Sequence, residues 1–428
     1  MNGMHVETIP YGKSELTLRI PRENYAGTLF PNYHPGIEDE AGEILRALNH
    51  PIGTPTIREI VAKKKGRKTV VVVNDPTRPT ATHKLLPPLM NELEACGISD
   101  DDILILIATG THRAVRPEEL EKLLGEGIAD RYRVVNHDCL DLTNMVDLGT
   151  TSRGIPVILN RLFCEADIKI LTGSIHPHQG AGFSGGRKSI LPGLTSLETL
   201  KLHHGPEFRP LEPAMGWLEG NTFHLQAMEA AKKAKPDFIL NLVQNQKREI
   251  TRAVAGDLEE AWMTGVRASR EIFEIETPKE VDIVVTVPGG HPRDFNLYQS
   301  QKSMAAAERV VKRGGSVILP VECPDGVGSK LFFEWMASAA CPEDVMERFR
   351  VEGYDVGTSK AWLYARCLLK AEVIVVSDYL DEKTLGQMFT RKAPDLDTAL
   401  SMALERQGRS ARVLVLRNAA DMIPKGNR

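Results

Sequence analysis

At 428 residues the chain exceeds the size of a single hydrophobic core, and with 42% hydrophobic and 26% charged residues it can form two compact domains. A formal net charge of −4 gives no general attraction for nucleic acid or an anionic membrane. Six dispersed cysteines (Cys96, Cys139, Cys164, Cys323, Cys341, Cys367) contain no C-x-x-C pair, which argues against a disulfide framework or a structural zinc site. Met1 to Leu16 lacks the apolar core of a signal peptide and no apolar run reaches the length of a membrane span, so a cytoplasmic protein is expected.

In chain order, the basic stretch Lys63, Lys64, Lys65, Arg67 and Lys68 reads as a solvated loop, and the β-branched run Thr69 to Val73 follows it as a strand. Ile103 to Ala108 and Ile168 to Thr172 repeat that pattern, each ending in polar or glycine-rich residues before a helical stretch. A short helix is predicted from the capping box Thr195, Ser196, Leu197, Glu198 to a stop at Gly205-Pro206. The Ile275 to Lys279 segment interrupts a helical stretch, and strands follow at Val281 to Val287, Ser316 to Pro320, Val373 to Ser377 and Arg412 to Leu416. Near-continuous apolar strands alternating with helices give an α/β fold: two domains with mainly parallel Rossmann-like sheets. The domains are expected at 1–276 and 277–400, with the 401–428 strand and tail completing the second domain or returning to the first.

Ligands in open α/β sheets bind beyond the carboxyl ends of strands. Four such ends are rich in functional groups: Asn74 to Thr80, Thr109 to Arg113, Gly173 to Lys188, and Pro288 to Arg293 leading on to Gln299 and Lys302. Taken singly these have structural readings, Asp75 as an N-cap with Arg78 as its surface partner, or His112 as a turn histidine. Together they point to one crevice. The Gly180 to Ser189 segment lacks the glycine directly before lysine that a P-loop requires, so general anion binding is the reading that survives. His176 and His178 are two apart across a proline, a spacing suited to a metal or a proton-transfer pair. His203 and His204 end the short helix, where a histidine also meets the negative end of the helix dipole.

The string His-Pro-His-x-x-Ala-Gly-Phe-Ser-Gly-Gly-x-Lys-x-x-x-Pro-Gly from His176 to Gly193, with His204 sixteen residues beyond Lys188, resembles the nickel-pincer lactate racemases and their α-hydroxy-acid racemase and epimerase relatives. The resemblance runs from the strand before Asp75 to Trp362. It implies a nickel-pincer nucleotide, the pyridinium-3-thioamide-5-thiocarboxylic acid mononucleotide, joined covalently to Lys188, with Ni(II) ligated by His204. It implies His112 and His178 as catalytic acid/base histidines, and Asp75, Thr77, Arg78, Gln299 and Lys302 as cofactor contacts. Arg78, Lys302 and Trp362 become substrate contacts in an inter-domain crevice. The implied partners are a small α-hydroxy acid and cofactor-maturation enzymes, with neither nucleic acid nor membrane, and a homo-oligomer is compatible with the family. Arg187 departs from the small residue expected before the lysine, a change expected to alter cofactor contacts, and the adjacent His203 leaves the nickel ligand one position ambiguous. The alternatives are a cofactor-independent hydroxy-acid racemase or lyase on the same scaffold, and a non-catalytic anion-binding protein.

Overall fold

The computed structural model describes residues 3–78, 80–278, 280–355 and 357–425. The chain divides into two compact units, one comprising Tyr33–Pro210 and Gly216–Ile272, the other Met1–Asn32, Leu211–Met215 and Phe273–Arg428. Among the described residues no helix is long and apolar enough to cross a membrane.

The first of these units is built on a six-stranded sheet in the order Ile250–Gly256, Phe238–Gln244, Ile168–Ser174, Thr69–Asn74, Ile103–Ala108, Arg133–Asn136. All neighbours are parallel except the outer pair Phe238–Gln244 and Ile250–Gly256. Val70 to Val73 are fully buried on both faces, which is why this strand reads as an unbroken apolar run rather than an alternating one. The register sets Asn74 opposite Ala108 and Val72 opposite Leu171. Asp75, the Thr109–His112 turn and the Ile175–Lys188 segment therefore leave the sheet along the same edge.

The short helix spans Leu197–His204, and its N-cap is Ser196, whose hydroxyl accepts the Thr199 N–H at 3.2 Å. The capping box expected from Thr195 and Glu198 is displaced by one residue. Thr195 is still engaged in a bridge to Leu159, and Ser196 N–H donates to the Ile158 carbonyl, so the chain is extended until Ser196.

The second unit holds a six-stranded, all-parallel sheet in the order Arg391–Ala393, Ala371–Val376, Val311–Pro320, Val281–Thr286, Val413–Leu416, Tyr25–Leu29. The Val413–Leu416 strand lies inside this sheet, which places the C-terminal strand in the second unit. Residues 3–32 also belong here, whereas the sequence reading gave them to the first domain. The reason is pairing: Tyr25–Leu29 adds an edge to Val413–Leu416, and Ile9, Leu18 and Ile20 of the preceding hairpin are buried in the same apolar cluster as Val413 and Val415. Asn24 strengthens the attachment by donating to the Arg409 and Ala411 carbonyls at 2.7 and 2.8 Å.

Removing residues 1–32 would strip an edge strand and uncover buried apolar surface, so the truncated chain is expected to melt at lower temperature and to aggregate through the bared Val413–Leu416 edge. Differential scanning calorimetry checks this, and an unchanged melting profile would show the segment to be dispensable.

Candidate active site

Beyond the Thr69–Asn74 strand the chain makes a tight turn in which Asp75 is 3% exposed. Its Oδ1 accepts the Thr77 N–H at 2.9 Å, and its Oδ2 lies 3.1 Å from His112 Nδ1. The Thr77 hydroxyl is 3.2 Å from the same nitrogen. Asp75 is therefore not a helix N-cap: it orients His112. A carboxylate on Nδ1 fixes the proton there and leaves the lone pair on Nε2. Burial opposes the Asp75 charge, but the hydrogen bonds from His112 and Thr77 outweigh it and hold the carboxyl below its usual range.

The Ile175–Lys188 segment folds back on itself through the short antiparallel pair Pro177–His178 and Gly182–Phe183. Gly182 has φ +73° and Gly186 φ +50°, and a Cβ on either would lie 2.4 Å from the Trp217 carbonyl or 2.8 Å from the Trp262 ring, so both positions require glycine. The fold-back brings His178 Nε2 to 3.5 Å from Lys188 Nζ. His176 Nδ1 lies 3.2 Å from the Pro177 carbonyl. Lys188 Nζ lies 5.7 Å from the centroid of the Phe223 ring. Burial and the positive charges of Arg78, Arg187 and Arg209 push the Lys188 amine well below its usual range. The same combination, burial first and then Lys188 and Arg78, disfavours protonation of His178.

His203 and His204 have a self-consistent proton arrangement. His203 Nε2 donates to the Phe223 carbonyl at 2.8 Å, which leaves its Nδ1 as an acceptor 3.4 Å from His204 Nδ1. His204 Nδ1 carries the proton, directed at the Leu200 carbonyl 3.1 Å away, so the lone pair of His204 is on Nε2. His203 is wholly buried against Phe223 with ring centroids 4.0 Å apart, and burial pushes its pKa down to about 3. Among the described residues no three His, Cys, Asp or Glu side chains converge to hold a metal.

Arg187, expected to alter cofactor contacts, turns into the interior instead. It is 0% exposed, donates to the Ala181 carbonyl at 2.7 Å and to His224 Nδ1 at 3.1 Å, and stacks on Trp262 with its guanidinium carbon 3.9 Å from the ring centroid. Of the residues in the second unit, Gln299 is in the first turn of the Leu297–Val310 helix, its N–H bonded to the Asn296 side chain at 2.9 Å, and Lys302 follows in the same helix. Trp362 is 3% exposed on the Thr358–Lys370 helix, its indole against Phe349 and Arg366.

The lactate racemase N-terminal domain family matches residues 11–213 and the lactate racemase C-terminal domain family matches residues 276–423. The chain is 36% identical over 422 residues to the lactate racemase of Thermoanaerobacterium thermosaccharolyticum, covering 97% of this chain and 98% of that protein. It belongs to the lactate racemase family. The lactate racemase of Lactiplantibacillus plantarum is 34% identical over 97% of this chain and 99% of its own length. The solved apoprotein of the Thermoanaerobacterium enzyme superposes with a TM-score of 0.90 at 35% identity, covering 98% of this chain and all of that one. A Thermotoga maritima protein shares the fold at 19% identity, TM-score 0.65, over 92% of this chain and all of its own.

What reading the residues alone missed in this lactate racemase family member is the support around the named groups: Phe223, His224, Asn221 and Trp262. None lies in a motif, and all are distant in sequence from what they support. Burial, followed by Arg187, pushes the His224 pKa down to about 3. A histidine held neutral in the fold stabilises fully above its unfolded pKa of about 6.5, and that stability is lost as pH falls from there toward 3. At pH 5 the loss relative to neutral pH is about 2 kcal/mol for this one group. His224→Gln, which keeps an acceptor, is expected to show a smaller loss between pH 7 and pH 5 in urea unfolding than the native protein. Equal losses would show that His224 titrates normally in the fold.

Proposed function

We propose that the chain racemises or epimerises a small α-hydroxy acid, with His112 and His178 handling the hydroxyl proton and a nickel-pincer nucleotide joined to Lys188. The observation that carries this reading is the juxtaposition of a desolvated Lys188 amine with His178, along the same sheet edge as a carboxylate-oriented His112.

The Cα–H of a hydroxy carboxylate is scarcely acidic because its neighbour is already an anion, so removing it as a proton requires a very strong base. When bound, the nickel-pincer nucleotide supplies an electrophile that accepts hydride, which avoids that step. The residues fit such a group. Burial and neighbouring cations favour the uncharged form of the Lys188 amine, the nucleophilic form that covalent attachment requires. A neutral imidazole whose Nδ1 proton is held by a backbone carbonyl presents Nε2 to a metal, and Ni(II) accepts imidazole beside soft sulfur donors.

The chain's own work is then proton handling and orientation. His112 Nε2 holds the lone pair that accepts a substrate hydroxyl proton, while Asp75 stabilises the imidazolium that forms. His178 serves the hydroxyl of the opposite enantiomer. Arg78 anchors the carboxylate by charge-assisted bonding, and Gln299, Lys302 and Trp362 keep the cofactor- and substrate-binding roles that the resemblance implies. Asp75 and Thr77 act on the reaction through His112. Lactate, the substrate in the names of the relatives, is the first compound to try.

Protein produced with cofactor-maturation enzymes is expected to carry a nucleotide-sized mass on the Lys188 peptide. It should invert single-enantiomer lactate or another α-hydroxy acid in deuterated water with the Cα hydrogen largely retained. An unmodified Lys188 in active protein, or full deuterium incorporation in the first turnover, would favour a cofactor-independent racemase instead. Asp75→Asn is expected to lower kcat by about 10²- to 10⁴-fold by removing the group that fixes the His112 tautomer. A loss under threefold would assign the orientation of His112 to something other than Asp75. His204→Ala is expected to lose nickel, measured by plasma mass spectrometry, whereas His203→Ala retains most of it; the reverse result shifts the ligand by one residue.

A further inference from the structure

Among the described residues no carboxylate is bonded to His178 as Asp75 is to His112. His178 Nδ1 instead accepts two backbone N–H groups, from Gly180 and Ala181, each at 3.1 Å. A nitrogen that accepts two donors carries no proton, so the neutral ring holds its proton on Nε2, the atom facing Lys188. Those donors belong to an irregular turn, and a turn left to itself would not hold them in place. Two buried side chains brace it. Asn221 Nδ2 donates to the Gly180 carbonyl at 2.9 Å, fixing the very peptide whose N–H, that of Ala181, points at His178. Arg187 donates to the carbonyl of the next peptide, Ala181, at 2.7 Å, and reaches the Ser184 and Gly185 carbonyls at 3.4 Å.

Arg187 is itself tightly determined. Its Nε donates to His224 Nδ1, and one face stacks on Trp262, whose Nε1 donates to the Ser184 carbonyl at 2.8 Å. Its hydrogen-bond partners among the described residues include no carboxylate. Placing a cation in the interior on carbonyls, an imidazole and an indole face is costly unless all those groups stay where they are, which makes the turn rigid. Asn221 and His224 open the Thr222–Ala234 helix, with Asn221 Oδ1 accepting the His224 N–H at 3.3 Å, so the helix start, the arginine and the turn form one connected network.

We infer that Arg187, together with Asn221, is a positioning residue for His178: it holds the 180–181 turn so that His178 is fixed with its lone pair on Nδ1 and its proton on Nε2. The charged and titratable groups that act most on His178 are Lys188, Arg78, His204 and Arg187, and none of them is a carboxylate that could orient the ring. The two histidines are consequently preset in opposite states, His112 offering a lone pair at Nε2 and His178 an N–H. The significance of this presetting for turnover rests on the proposed racemase reading; the positioning itself does not.

The test is nitrogen-15 NMR of histidine-labelled, cofactor-free protein, using two-bond ring correlations to tell protonated from unprotonated nitrogens. The His178 signals are assigned by their loss in His178→Gln. In the native protein His178 should show an unprotonated Nδ1 and a protonated Nε2. Arg187→Met and Asn221→Ala should each lose the unprotonated Nδ1 signal to a tautomer average, and Arg187→Lys should fall between. The His112 pattern should stay unchanged in all three, a control that general loosening would not pass. A folded Arg187→Met protein with the native His178 pattern overturns the inference. Should that variant not fold, an unchanged pattern in both Arg187→Lys and Asn221→Ala overturns it equally. If the tautomer effects appear but matured native protein does not racemise hydroxy acids, the functional reading fails and the positioning stands.

Discussion

Desolvation of a lysine amine in the company of other cations is the constraint around which the site is organised. Burial and the positive charges of Arg78, Arg187 and Arg209 all disfavour the ammonium form of Lys188, and the uncharged amine is the form that can act as a nucleophile. Holding that arrangement requires a rigid surround, because the turn or the arginines would otherwise move to let water in. The Ile168–Ser174 strand, central in its sheet and buried on both faces, provides one fixed end. Phe223, which lies under Lys188 and against both His203 and His204, closes the other.

Arg187 shows how the irregular backbone near that amine is accommodated. The Ala181, Ser184 and Gly185 carbonyls lie outside the Gly182–Phe183 strand pairing, and a buried carbonyl without a donor costs as much as a lost hydrogen bond. One guanidinium reaches all three. The positive charge it carries adds to the potential at Lys188, so the group that satisfies the turn also helps to discharge the amine. Structural support and chemical tuning are here the same residue.

The strands were legible because runs such as Val70 to Val73 and Val373 to Val376 are apolar on every residue, and only a doubly covered strand accommodates that. The motif histidines and Lys188 drew attention because their segments leave the carboxyl ends of such strands. What could not be read was pairing over long separations. Nothing local in Tyr25–Leu29 specifies Val413–Leu416 as its neighbour, so residues 3–32 went to the wrong unit. The outer strands Phe238–Gln244 and Ile250–Gly256 were passed over, although the first is wholly buried, because no functional motif drew attention to their ends. The helix cap was displaced by one for a related reason: Thr195 has the right side chain, but a bridge to Leu159 holds its backbone extended. Asp75 and Arg187 were both noticed, yet their roles depend on His112, His224 and Trp262, which spacing alone could not bring to them.

The same reasoning bears on the adjacent histidines, where residue type gives no preference. On a helix successive side chains diverge by about 100°, so His203 and His204 cannot serve one ligand position equally. His203 uses Nε2 on the Phe223 carbonyl and turns Nδ1 toward its neighbour, in complete burial. Both of its nitrogens are thus committed within the protein. His204 directs Nδ1–H at the Leu200 carbonyl and the neighbouring ring, and that bond fixes the lone pair on Nε2. A metal ligand needs this state, with one nitrogen anchored by the backbone and the other unprotonated. His203 acts on its neighbour from behind: by accepting at Nδ1 it helps to hold the His204 proton away from Nε2, the state that the proposed nickel-ligand role requires.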